Sequence, residues 1–275
     1  MKKLMMISLL ALAACTQNNN ANVANVEGSN KSAIINGQKV TSGENYAEST
    51  VALIYKSPRD GSIAAYCTGV LISRNLVLTA AHCADMFERV ETKMFFGTDL
   101  PQSFDDVNAI EIAESVSHRN FGIDMDTNVS LFDLAVVKLV SDAPEGYRPV
   151  PILNNVKKLK AGTPITLVGW GRMSETETIK TVSMQKTVVE IAQVRDQEII
   201  TNQTRGTGAC NGDSGGPGFI ETSMGLIVAG ATRGPEIGYE DCHHYGMYSL
   251  LVNYKDFLNY AAQTMEGDYP QFVNY

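Results

Sequence analysis

The sequence predicts an all-β fold, and three observations carry that prediction. Short apolar runs rich in Val, Ile and Leu recur from Ile34 onward. Gly, Pro, Asn and Asp cluster between them. Only one stretch shows helical periodicity.

In chain order the runs are Val51–Tyr55, Gly69–Ile72, Leu76–Leu78, Leu134–Val140, Ile165–Val168, Thr187–Ile191 and Leu226–Val228. Branched and bulky apolar side chains suit a pleated, half-buried surface, so each run reads as a strand. A break over 141–146, with Pro144 and Gly146, divides the chain into halves. Near the C-terminus Leu251, Tyr254, Phe257, Leu258 and Ala261 fall at helical spacing and predict a helix over about 251–265. Many short strands with turn residues between them indicate a β-sandwich or barrel.

The N-terminus reads as an export signal. Lys2 and Lys3 precede an apolar stretch, Leu4 to Ala14, too short to span a bilayer. It ends in Leu12-Ala13-Ala14-Cys15, which is similar to a bacterial lipobox, with Cys15 the residue that takes the lipid. Thr16 to Ala33, rich in Asn, Ala and Ser, reads as a flexible tether, at most about 60 Å long when extended. The expected organisation is therefore 1–14 signal, 15–33 lipid-anchored tether or propeptide, and 34–275 folded domain, with halves 34–143 and 144–275. The expected setting is a bacterial envelope, with the active form released to the periplasm or beyond.

The formal charge is −8 over 275 residues, which argues against a nucleic-acid partner. Five cysteines are present. With lipid on Cys15, four remain: Cys67, Cys83, Cys210 and Cys242. Four cysteines allow three pairings, and spacing does not choose among them. No metal or cofactor is expected; Asp124 and Asp126 read as solvated loop carboxylates.

Three stretches carry residue types suited to nucleophilic catalysis. Thr79-Ala80-Ala81-His82-Cys83 places a histidine in a small-residue turn after an apolar strand. Asp133-Leu134-Ala135-Val136-Val137-Lys138-Leu139 places a carboxylate at the mouth of another. Cys210-Asn211-Gly212-Asp213-Ser214-Gly215-Gly216-Pro217 places a serine among glycines, which permit a tight backbone and close substrate approach. Gly212-Asp213-Ser214-Gly215-Gly216 also fits the nucleophile turn of α/β-hydrolases, but that turn must open a helix, and Pro217-Gly218 leads into a strand.

In the order His, Asp, Ser these blocks resemble the chymotrypsin–trypsin family of serine endopeptidases. Ile34-Ile35-Asn36-Gly37, Gly169-Trp170-Gly171 and His118-Arg119-Asn120-Phe121 add to the resemblance, which runs from Ile34 to about Phe257. It implies two antiparallel six-stranded β-barrels with the site between them. It implies Ser214 as nucleophile, His82 as base, Asp133 as orienting carboxylate, and the N–H groups of Gly212 and Ser214 as oxyanion hole. It implies pairs Cys67–Cys83 and Cys210–Cys242. It implies a zymogen cut before Ile34, whose new ammonium pairs with Asp213, and hence an activating protease. Thr232 matches a position whose side chain contacts the triad carboxylate. Gly208 and Ala209, with Gly234 and Gly246, match the specificity pocket and imply an open, uncharged slot that does not favour Arg or Lys. Arg233 replaces an aromatic that lines the cleft, and is expected to favour an acidic residue further along the substrate. The partners implied are protein or peptide substrates met by a monomer. The rival reading is an inactive homologue that binds without cutting.

Overall fold

A computed structural model of the chain describes residues 34–127, 129–172 and 182–275. The expected signal and the expected tether, Cys15 to Ala33, lie outside the described residues. The elements are β1 (Gln38–Lys39), β2 (Thr50–Lys56), β3 (Ile63–Leu71), β4 (Leu76–Thr79), α1 (Ala81–Ala84), β5 (Thr92–Phe95), β6 (Ala109–Ser117), β7 (Gly122–Asp124), β8 (Val129–Leu131) and β9 (Ala135–Leu139). They continue with β10 (Ile152–Leu153), β11 (Pro164–Gly169), β12 (Gln185–Val194), β13 (Glu198–Asn202), β14 (Pro217–Thr222), β15 (Gly225–Pro235), β16 (Tyr245–Leu250), α2 (Lys255–Thr264) and β17 (Phe272–Val273).

Two closed, six-stranded antiparallel barrels result. The first runs β2-β3-β4-β9-β6-β5; the second runs β14-β11-β12-β13-β16-β15 and closes through β14–β15. Side chains alternate across a strand, and here both faces find a core. In β2, Val51 and Leu53 point into the first barrel with Leu71, Val77 and Val137. Ala52 and Ile54 join a second cluster with Phe95, Trp170 and Phe219 from both barrels. That explains why β2 reads as a continuous apolar run. Each fully buried Val, Leu or Ile contributes about 1.5–3 kcal/mol.

The two halves exchange their ends. Residues 34–40 pair with the second barrel, Ile35 opposite Gly208 and Gln38 opposite Lys186. The C-terminal helix runs the other way: α2 packs on β9, and the Lys138 ammonium donates to Met265 O. Each terminus therefore packs on the barrel built from the other half of the chain. The helix itself opens with a 3₁₀ turn over Leu251–Tyr254 and buries Leu258, Ala261 and Ala262.

Candidate active site

His82 lies in α1, the single turn that follows β4. Asp133 precedes β9, which pairs with β4 along Leu76–Thr79, so adjacent strands deliver the two side chains side by side. Asp133 Oδ1 accepts from His82 N–H at 2.9 Å, and Oδ2 lies 2.6 Å from His82 Nδ1. The carboxylate is fully buried. Burial pushes its pKa up, but the imidazole and the Ser130 hydroxyl outweigh it and leave the group below its ordinary value. His82 is partly exposed, and it lines a cavity of about 230 Å³ together with Ser214. No hydrogen bond joins Ser214 Oγ to the ring among the described residues; such contacts are often long before substrate binds.

Ser214 sits on a loop tied to the first barrel, since its carbonyl accepts from Thr68 N–H at 2.9 Å. Gly212 has φ +104°, and a Cβ there would stand 2.9 Å from Gly171 Cα, so the position demands glycine. Among the described residues neither Gly212 N–H nor Ser214 N–H meets a protein acceptor.

Cys67 is bonded to Cys83 beside His82, and Cys210 to Cys242 beside Ser214. Sulfurs of the first bridge and a His82 nitrogen cluster within 4.8 Å. Both sulfurs are committed to the disulfide, so no metal centre forms there. Asp124 accepts the backbone N–H groups of Asp126 and Thr127, as a loop-closing side chain does.

Asp213 is 1% exposed and accepts from Gly171 N–H and Cys210 N–H, each at 2.8 Å. Burial raises its pKa to about 7, against the pull of those two donors. Ile34 is also buried, in the core of the second barrel with Ala209. Its φ is +58° and that of Asn36 is +52°. Asn tolerates this left-handed conformation where glycine is usual; a β-branched Ile does not.

Three expectations need correction. The hydroxyl on Asp133 is not that of Thr232, which donates to Gly216 O at 3.0 Å. It is that of Ser130, at 2.7 Å from Oδ2. Arg233 does not reach into the cleft as a free charge. Its side chain is 2% exposed, paired with Glu198 at 2.7 Å, and donates to Ser130 O. The slot between Gly208 and Gly246 is not fully open either, because Gln203 fills the space that the missing side chains leave. Asp241 lines the same cavity, but it holds His244 at 2.7 Å and accepts His243 N–H. Neither Ser130 nor Gln203 stands in a motif; each is an ordinary polar residue whose role arises only from its neighbours in space.

A larger cavity, about 620 Å³, lies between the β7–β8 hairpin and residues 233–240. It shares Arg233, Gly234 and Pro235 with the smaller one, so the two are adjoining parts of one cleft.

Comparison with known proteins agrees with this geometry. The family described as Trypsin matches residues 34–258. Brachyurin of Leptuca pugilator is 30% identical over 205 residues, covering 67% of this chain and 84% of its own. Chymase of Rattus norvegicus is 29% identical, covering 70% and 77%. Trypsin of Sarcophaga bullata is 26% identical, covering 67% and 76%. With its two barrels and its two disulfides, which suit an exported protein, the chain belongs to the trypsin family and is a serine endopeptidase.

Proposed function

We propose that His82, Asp133 and Ser214 are the triad of this endopeptidase. The observation that carries the reading is the 2.6 Å contact of Asp133 Oδ2 with His82 Nδ1, with the ring and Ser214 on one cavity. Asp133 holds Nδ1 protonated, which leaves Nε2 as the base. Ser214 Oγ attacks the scissile carbonyl as its proton passes to His82, and His82 returns that proton to the leaving amine. Water then repeats the sequence on the acyl-enzyme. The oxyanion is met by Gly212 N–H and Ser214 N–H, whose lack of protein acceptors supports that role. The rival reading as an inactive binding homologue has no observation in its favour.

The P1 side chain enters the 230 Å³ cavity. Ala209, Gly234 and Gly246 line it and carry no charge, and so does the neutral Gln203 amide, which fills the room beside Gly208. An apolar, aromatic or small P1 residue fits; Arg and Lys find no free carboxylate at the floor.

Activation is by cleavage before Ile34, by another protease or by the enzyme itself. A β-branched residue at φ +58° carries strain of about 1–3 kcal/mol. Cutting the preceding peptide bond removes that dihedral and creates an ammonium for Asp213. Lipid on Cys15 would hold the precursor, made in a bacterial cell, at the envelope, and the same cut would release a monomeric enzyme whose only membrane link was that lipid.

The test is N-terminal sequencing of the active species together with fluorophosphonate labelling. Ile34 as first residue and an adduct on Ser214 are expected; full activity in membrane-bound protein beginning at Cys15 would refute activation by release.

A further inference from the structure

The buried carboxylate of Asp133 has a donor that does not belong to the triad. Besides His82 it accepts from Ser130 Oγ at 2.7 Å, while the nearby hydroxyl of Thr232 is committed to Gly216 O. Ser130 lies in β8, which among the described residues pairs only with β7, in a two-stranded hairpin outside both barrels. Such a hairpin is marginal alone and does not fix a hydroxyl to within a few tenths of an ångström.

The second barrel supplies the missing restraint. Arg233 extends from β15, donates one arm to Ser130 O and the other to Glu198 Oε1 on β13 at 2.7 Å. Glu198 continues to Arg195 at 3.5 Å, and Arg195 pairs with Glu236. A guanidinium at 2% exposure requires such partners. Its planar fork serves two acceptors on different elements, which a lysine ammonium does poorly.

On the reading that His82, Asp133 and Ser214 form the triad, we propose that Ser130 is a positioning residue for it, and that Arg233 holds Ser130 in place from the second barrel. The hydroxyl fixes the rotation of the Asp133 carboxylate and thereby the plane of the His82 ring. Docking of the second barrel then sets the geometry of a dyad built on the first. The hydroxyl also draws electron density from the carboxylate. Without it Asp133 holds the imidazolium more tightly, which makes the imidazolium a poorer general acid. The other charged or titratable groups around the carboxylate are Arg233, Glu198 and the Tyr254 phenol, with His118 packed on Phe132 and Tyr254.

The experiment uses the mature enzyme and an ester substrate that ends at P1, which does not reach the larger cavity that Ser130 also lines. Fluorophosphonate labelling of Ser214 in the wild type first establishes the triad reading separately. Ser130→Ala is then expected to lower kcat about tenfold, to leave KM within about twofold, and to move the acid limb of kcat/KM to higher pH. The downfield Nδ1 proton of His82 should shift, and Ser130→Thr should restore both rate and pH profile. Arg233→Lys should fall between. A Ser130→Ala enzyme with kcat within about twofold of wild type and an unmoved acid limb overturns the proposal. So does Ser130→Thr that is folded by circular dichroism yet as slow as Ser130→Ala. Ser130→Ala decides alone if Arg233→Lys does not fold.

Discussion

Gln203 stands in the room that Gly208 leaves empty: a Cβ on Gly208 would lie 2.2 Å from Gln203 Cδ. The amide is locked, since Nε2 donates to Cys242 O at 2.8 Å and Oε1 accepts from Ala209 N–H at 2.8 Å. In the proposed P1 pocket this puts a neutral amide in the space that a side chain at position 208 would take. Gln203→Ala should deepen the pocket and raise kcat/KM for Phe or Trp at P1 relative to Leu by about tenfold, the worth of one or two methylenes of fit. A peptide library on both enzymes checks it. Cleavage mainly after Arg or Lys by the parent enzyme would contradict the assignment of this pocket.

Gly212→Ala should fold with loss of stability and lose at least about a hundredfold in kcat. The added Cβ meets Gly171 at 2.9 Å, and φ +104° suits no L side chain. Relief of both turns an N–H away from the proposed oxyanion hole, and one such donor is worth about 10²–10³ in rate. Ester turnover with active-site titration separates lost sites from slow ones.

The precursor should be least stable at high pH. Asp213 titrates at about 7 in the fold and ordinarily near 3.8. A folded pKa above the unfolded one means that folding opposes ionisation. The penalty is absent below pH 3.8, grows as pH rises, and is complete above about 7, where it is on the order of 4 kcal/mol. Urea unfolding of uncut Ser214→Ala protein should therefore show lower stability at pH 8 than at pH 5, after correction by the Asp213→Asn variant. On the proposed activation, cutting before Ile34 supplies an ammonium partner for this carboxylate and should abolish the difference.

The strands with two buried faces were plain in the sequence: Val51–Tyr55 lies within β2 and Ile165–Val168 within β11. β6, Ala109–Ser117, was not, because Glu111 and Glu114 face solvent and break the apolar run. The same contrast holds in the site. The residues flanking Ser214 are dictated by local backbone geometry, so they form a readable block. Ser130 and Gln203 act through partners brought from distant strands, and nothing in their own neighbourhood marks them. Thr232 and Arg233 were misread because sequence position gives the element but not the rotamer: one hydroxyl turned to Gly216 O, and one guanidinium to Glu198.

Ser214→Ala and His82→Ala should each lower turnover on the order of a million-fold, with the double variant little worse, because the groups act as a unit. The most direct single measurement is mass spectrometry of the mature protein after reaction with a fluorophosphonate. One adduct on the peptide containing Ser214, lost in His82→Ala, is the expected result. An adduct elsewhere, or full peptidase activity with Ser214 unmodified, would contradict the assignment of the triad.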